Sequence, residues 1–268
     1  MSKIGSAIYE IHHMDTIASR EQWVNQIHPL VKLVLTIGYI AVTVSFHKYN
    51  LVGLIGMLVY PLSMFLLADL SIKDSIKRLR IVLPLVCFVG IWNPFFDHTF
   101  VFLGDVCICG GVVSMLTLMI KGLFSVLASY LLIATTSIEK ICYALRLLRV
   151  PKLVVTQILL TYRYITLLLG EVNQMTQAYA LRAPNQKGIH CKAWGSLTGQ
   201  LLLRSVDRAN EVYESMLLRG YQGEFGYLGP QIKMRKKDWL FFLFWSSCII
   251  FVRMVPIVTI IGNFVGGH

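Results

Sequence analysis

The chain has 268 residues, of which 56% are hydrophobic and only 15% are charged, and its formal net charge is +11 at pH 7. Soluble globular domains contain fewer apolar and more charged residues, so this composition excludes an ordinary soluble domain and indicates a polytopic membrane protein. Cytoplasmic loops of such proteins collect lysine and arginine, which explains the positive charge without a nucleic-acid partner.

Apolar runs of roughly membrane-spanning length dominate the first half of the chain. Residues 1–25 are polar and lack an apolar core, so no cleavable signal peptide is expected. The runs lie at 30–46, 51–68, 81–96 and 110–136, and Pro61 is expected to kink the second. A fifth run, 239–261, begins with Trp239 and Trp245, where an aromatic belt is expected. The sequence therefore predicts about five spans.

The connections between these runs differ in charge. Residues 69–80 form an amphipathic pattern with four basic residues, and the basic collar, defined as Lys233, Arg235, Lys236 and Lys237, precedes the last span. The connection 97–109 contains two aspartates and neither lysine nor arginine. Since basic residues mark the cytoplasmic side, we expect the N-terminus and the basic connections to be cytoplasmic and the C-terminal tail to be outside.

The segment 137–237 is predicted to be a cytoplasmic platform of amphipathic helices. The pattern predicts helices over 138–149, 151–182 and 193–218, the last one closed by Gly220. We therefore divide the chain into an N-terminal membrane part with four spans (1–136), a coupling platform (137–237) and a last span with its tail (238–268). The predicted fold class is an all-α integral membrane protein with about five spans plus long cytoplasmic helices.

Two arginines with small neighbours end the two long platform helices. They lie in Leu181-Arg182-Ala183 and Leu218-Arg219-Gly220. Arginine at a helix C-terminus is favoured by the helix dipole alone, which is the simpler interpretation of either residue. The recurrence favours a second interpretation, in which each guanidinium enters a groove of a partner protein and binds carboxylates.

Several short motifs resemble a known family. They are Ala144-Leu145-Arg146 with Pro151, Thr161-Tyr162-Arg163-Tyr164, Ser205-Val206-Asp207-Arg208-Ala209, the ending Met216-x-Leu218-Arg219-Gly220-Tyr221, and His28-Pro29-Leu30-Val31-Lys32 at the first span. Together they resemble the T component of energy-coupling factor transporters, in the cobalt-type, CbiQ-like branch. The resemblance extends over essentially the whole chain.

The resemblance implies a non-catalytic scaffold in the cell membrane that links two ABC ATPase subunits to a substrate-binding membrane subunit. It implies that Leu181, Arg182, Ala183, Leu218, Arg219 and Gly220 dock on the ATPases. Leu181 and Ala183 depart from the commoner Ala-Arg-Gly or Ala-Arg-Ser form of the first motif. The implied cargo is cobalt ion, with nickel or a vitamin as alternatives.

Other polar residues have two interpretations. Arg163 and Glu171 lie eight residues apart on one face of the long helix, and either face water or headgroups, or pack between crossed coupling helices. Arg146 and Pro151 are further candidates for such packing. Lys121 lies inside the fourth span, where it must face the bundle interior, pair or snorkel.

Catalytic and metal-binding patterns are missing from the sequence. The histidines form no cluster with carboxylates at helical spacing, and the only close cysteines are Cys107 and Cys109. The sequence has no Walker A motif and no hydrolase motif, so we expect neither an enzyme nor a bound metal or cofactor. A stand-alone secondary carrier is disfavoured because no internal repeat is visible.

Overall fold

A computed structural model describes residues 16–18, 22–47, 51–69, 84, 88, 90, 100–103, 106–184, 189–222 and 233–254. Its helices are α1 Pro29–Val44, α2 Leu51–Gly56, α3 Val59–Leu67, α4 Gly110–Thr135, α5 Ile138–Leu147, α6 Lys152–Arg182, α7 Cys191–Leu218 and α8 Lys236–Met254. A 3-10 turn, Val24–Gln26, precedes α1. The strands β1 Phe100–Leu103 and β2 Val106–Cys109 pair antiparallel, with Phe100 opposite Cys109.

These elements fall into two compact units. One unit contains α5, α6 and α7, and the other contains α1 to α4, the β-hairpin and α8. The prediction of helices for the first, second, fourth and last apolar runs and for all three platform segments agrees with these bounds, and residues 255–261 of the last run lie outside the described part of the chain. The predicted amphipathic helix and most of the third predicted span lie outside the described residues. The connection predicted for 97–109 instead contains the hairpin.

Two described helices, α4 and α6, are long and apolar enough to cross a membrane by length and composition. The helix α1 and the segment Gly53–Leu67 are apolar but shorter. One of the two long helices, α6, is the helix that the sequence analysis assigns to the cytoplasmic platform. By length and apolar character α6 resembles a span, so its assignment to the platform and the number of five spans both stay predictions.

The second predicted span is divided into two helices shortly before Pro61, which lies in the first turn of the second one. The helices α2 and α3 are separated by a turn at Met57 and Leu58, whose backbone N–H groups donate to Leu54 and Ile55 in 3-10 fashion. Proline has no N–H for the carbonyl four residues earlier, which is that of Met57. The Tyr39 hydroxyl of α1 donates to this carbonyl at 2.9 Å, so the backbone group that Pro61 leaves open is satisfied in the core.

Three helix ends meet at one face of the membrane unit. His28 caps α1 by accepting the Leu30 N–H at its Nδ1, and the backbone N–H of His28 donates to the buried Asp238 carboxylate at 3.2 Å. The other Asp238 oxygen accepts the N–H of Arg235, the residue before α8, at 2.8 Å. Lys32 in the first turn of α1 donates to the Thr135 carbonyl at the end of α4, at 2.8 Å. The starts of α1 and α8 and the end of α4 are thereby held together.

The opposite end of α1 is capped by two cations. Lys121 of α4 donates to the carbonyls of Val44 and Phe46, and Arg253 of α8 donates to the Ser45 carbonyl at 3.2 Å. The Arg253 guanidinium also lies 4.3 Å from the centroid of the Phe46 ring. Carbonyls at a helix C-terminus carry partial negative charge, which is why cations stabilise them. Lys121 is therefore half-buried against the C-terminal end of α1, to which it is bonded.

The core of this unit lies between α1, α3, α4 and α8. Tyr39 packs against Tyr60 with ring centroids 4.6 Å apart and ring planes tilted by 32°, and Tyr60 meets Trp245 edge-on at 5.2 Å. Phe124 and Leu131 of α4 are buried in the same cluster. Gly56 lies so close to α8 that a Cβ atom there would be 2.9 Å from Cγ1 of Val252. These contacts hold α8 against the first half of the chain.

Candidate docking site

The end of α7 has the backbone geometry typical of a helix that is terminated by glycine. Gly220 has φ +80°, its N–H donates to the Leu217 carbonyl at 2.9 Å, and the Tyr221 N–H donates to the Met216 carbonyl at 3.0 Å. This is a Schellman motif, in which a left-handed residue satisfies the last carbonyls and stops the helix. Arg219 is the residue between the helix and the glycine, and its side chain is exposed. The motif therefore fixes the backbone conformation at the helix end that bears Arg219.

The end of α6 is built without glycine. Ala183 follows the last helical residue, Arg182, with φ −131° and ψ 65°, and its N–H donates to the Tyr179 carbonyl at 3.0 Å. Arg182 is exposed in the last turn, where the helix dipole favours a cation. The two arginines thus share exposure and a helix-terminal position, although their caps differ.

A leucine precedes each arginine, and both leucines point into solvent. Leu218 is 90% exposed and Leu181 is 83% exposed, the two highest values among the large hydrophobic residues that the structure describes. A single exposed leucine needs no explanation. The same apolar–cationic pair at the ends of both long helices forms two small surfaces of like chemistry, called here the Leu-Arg tips: Leu181–Arg182 and Leu218–Arg219.

The two Leu-Arg tips lie at different distances from a groove between α6 and α7. The groove has a volume of about 320 Å³ and joins the first half of α6 to the second half of α7. Its α6 side ends at Leu168 and its α7 side at Met216. Arg182 therefore lies about 21 Å along the helix axis beyond the groove, from 14 residues at 1.5 Å each, whereas Arg219 follows Met216 by three residues. The tips are therefore two separate surfaces.

Six of the motif residues from the sequence line this groove. They are Thr161, Tyr164, Ser205, Arg208, Ala209 and Met216. Arg208 also forms an exposed ion pair with Glu211 at 3.2 Å, one turn away on α7. The groove itself was not predicted from the sequence, because which faces of two amphipathic helices meet depends on their crossing geometry rather than on either pattern alone.

The four residues predicted to pack between the coupling helices differ in burial and in their contacts. Arg146 is half-buried in the last turn of α5, and Pro151 caps α6 with a carbonyl that accepts the N–H groups of Val154 and Val155. Arg163 is exposed, whereas Glu171 is half-buried and its Oε2 atom has no hydrogen-bond partner among the described residues. Packing by Arg163 and Glu171 between crossed helices stays a prediction.

The apolar helices, the lysine bonded to helix-end carbonyls and the low charge indicate a helical membrane protein. The family model for CbiQ, described as cobalt transport protein, matches residues 20–228, which is most of the chain. The chain belongs to this family, and the resemblance found in its motifs is confirmed.

Two relatives share about half of the chain. The uncharacterized protein MJ1571 of Methanocaldococcus jannaschii is 31% identical over 137 residues, which cover 50% of this chain and 46% of that protein. A Ycf92-like protein of a Nostoc species is 27% identical over 132 residues, covering 45% of this chain and 43% of its own length. The shared segment is thus less than half of either relative.

Proposed function

We propose that this chain is the non-catalytic coupling subunit of an energy-coupling factor ABC importer. In this role it binds two ABC ATPase subunits through the two Leu-Arg tips and holds a substrate-binding membrane subunit on the apolar faces of its coupling helices. The observation that carries the proposal is the pair of exposed tips, since Leu181 and Leu218 are the most exposed large apolar residues described and each precedes an exposed arginine.

The chemistry of the tips suits docking in a partner's groove. A guanidinium binds a carboxylate through two parallel hydrogen bonds, which gives direction as well as affinity. The preceding leucine adds apolar area that is lost from water when the tip enters the groove. When the ATPases close on ATP, the two grooves move toward each other and displace the ends of α6 and α7. Two long helices packed along a shared groove transmit this displacement as a rigid-body motion.

The proposal includes an orientation in the cell membrane. The N-terminus and the platform are cytoplasmic, and the chain crosses the membrane five times. Support comes from the three joined helix ends, because the start of α1, the end of α4 and the start of α8 lie at one face, as this topology requires. The basic collar belongs to the same end of α8.

The proposed cargo is cobalt ion, from the description of the family, with nickel or a vitamin as alternatives. In the proposed complex a different subunit binds the cargo, and this chain is not an enzyme. Purification of the assembled complex, followed by identification of the substrate-binding subunit and its bound cargo, distinguishes these possibilities.

The test is uptake and ATPase binding by complexes with altered tips. We expect Arg219→Ala to lower ATP-dependent uptake at least tenfold, because a charged hydrogen-bonded contact contributes about 1.5–3 kcal/mol. Arg182→Ala is expected to act in the same direction. Arg204→Ala is the matched control, since Arg204 is also exposed on α7 but lies away from its end.

Normal uptake by Arg219→Ala in an intact complex contradicts the docking role. Uptake by the purified chain alone in proteoliposomes would instead establish a stand-alone carrier. Turnover of a substrate by the chain alone would establish an enzyme.

A further inference from the structure

A second surface, distant in the chain from the tips, lies beside the start of α8. A groove of about 450 Å³ is formed there by the turn before α1, the end of α3 and the first turns of α8. Its walls are exposed apolar side chains, those of Trp23, Leu67, Leu240 and Phe244. Lys236 and Lys237 line it as well, and both are exposed. The groove therefore combines an apolar channel with two cations.

The floor of the groove is rigid. Phe241 and Trp245 are buried there, and their ring centroids are 6.3 Å apart. Trp23 meets Phe241 edge-on at 5.9 Å, and Phe244 meets Trp245 edge-on at 5.5 Å. Aromatic pairs in this geometry attract beyond their buried area. The channel is therefore present before any ligand arrives.

Among the residues that the structure describes, no carboxylate forms an ion pair with the lysines of this groove. The one carboxylate in the first turn of α8, Asp238, is buried and accepts the backbone N–H groups of His28 and Arg235. Lys236 and Lys237 are left at the groove, and Lys233 and Arg235, also exposed, precede them. Four cations within five residues favour an anionic partner.

We propose that this groove binds an anionic phospholipid, with the phosphate at Lys236 and Lys237 and an acyl chain along Trp23, Leu67 and Phe244. Basic pockets beside transmembrane helices bind anionic headgroups, and tryptophan lies at the depth where headgroup and acyl chain join. A zwitterionic lipid offers the same chain but no net charge. The lysines of the groove thus discriminate between headgroups, and its apolar walls bind the acyl chain. The proposal does not depend on docking of the ATPases.

The experiment measures lipid retained by the purified full-length chain. The chain is equilibrated with phosphatidylglycerol and phosphatidylcholine of identical acyl chains, and bound lipid is counted by native mass spectrometry. We expect retention of phosphatidylglycerol, and a loss of about thirtyfold in affinity for it in Lys236→Gln/Lys237→Gln. Lys140→Gln/Lys152→Gln is the matched double control and is expected to retain the lipid.

The apolar wall is tested separately. Trp23→Ala is expected to lower binding of both lipids about tenfold. Trp239→Ala is its control, because Trp239 is 55% exposed against 51% for Trp23 but does not line this groove. Equal retention of the two lipids by the unaltered chain, or unchanged retention in the double lysine variant, overturns the proposal. Full displacement of the lipid by soluble glycerophosphate also overturns it, since the site would then bind phosphate alone.

Discussion

Arg149 is one of two non-glycine residues in the described part of the chain with a positive φ, the other being Asp69. Arg149 has φ 62°, and the Val150 N–H donates to the Leu145 carbonyl at 3.2 Å, so it occupies the left-handed position of a Schellman motif at the end of α5. The corresponding residue of α7 is Gly220. A residue with a Cβ atom is strained by about 1 kcal/mol in this region. Pro151 then starts the turn into α6, since it cannot continue α5.

Arg149→Gly is therefore expected to stabilise the end of α5. The free energy of opening its last turn should rise by about 0.5–1 kcal/mol, somewhat less than the strain because glycine is more flexible in the unfolded chain. Hydrogen exchange of the backbone amides near Arg149 and Val150 measures this. Arg149→Ala keeps the Cβ atom and serves as the control for loss of the guanidinium. Faster exchange in the glycine variant than in the alanine variant contradicts the strain argument.

Substitution of two helical glycines, Gly56 and Gly38, separates the effect of close packing from that of helix propensity. A Cβ atom at Gly56 of α2 would lie 2.9 Å from Cγ1 of Val252, whereas nothing lies within 4 Å of one at Gly38 of α1. We expect Gly56→Ala to lower the thermal midpoint, because α8 must shift. Gly38→Ala is expected to leave the midpoint unchanged or to raise it, since alanine favours a helix by about 1 kcal/mol. Equal effects of the two substitutions would contradict the contact between α2 and α8.

At the scale of the element, α5 has a buried face, and Cys142 lies on it. Cys142 is buried, and burial, followed by the negative charge of Glu139, raises the pKa of its thiol. A raised pKa means less thiolate at a given pH, and the thiolate is the reactive form. Cys191 at the start of α7 is exposed.

Two variants are compared, one whose only cysteine is Cys142 and one whose only cysteine is Cys191. We expect the Cys142 variant to react with maleimide far more slowly at pH 7.5 than the Cys191 variant. Its rate should still be rising as the pH passes 9, because its thiol ionises at higher pH than usual. Similar rates for the two chains at pH 7.5 would show that α5 does not bury this face.

The helical elements were largely predictable from the sequence, and the contacts between them were not. Apolar runs and terminal residues such as Pro151 and Gly220 act within one helix, so they locate helix ends without knowledge of the fold. The Asp238 bond to His28 joins residues 210 positions apart, which no local pattern records. The β-hairpin was missed although the sequence contains a signal for it, because the dipeptide Gly104-Asp105 between two apolar runs of four residues is typical of a hairpin.

The candidate site was predictable only in part. Arg182 and Arg219 followed from their neighbours and from the family motifs, but the exposure of Leu181 and Leu218 depends on which helix faces are covered. At the scale of the whole molecule, the chain combines a membrane unit, held by Lys32, Lys121 and Asp238, with a helical unit that ends in two separated tips. This arrangement suits a subunit that receives motion from two partners.

The most direct measurement is photo-cross-linking from both tips in the assembled transporter. A photo-cross-linking amino acid replaces Leu181 and Leu218 in one chain, and the equally apolar, exposed Leu203 of α7 in a control chain. The account predicts products in which one chain is linked to two ATPase subunits, formed from the tip positions and not from Leu203. An intact complex in which neither tip cross-links to an ATPase would contradict it.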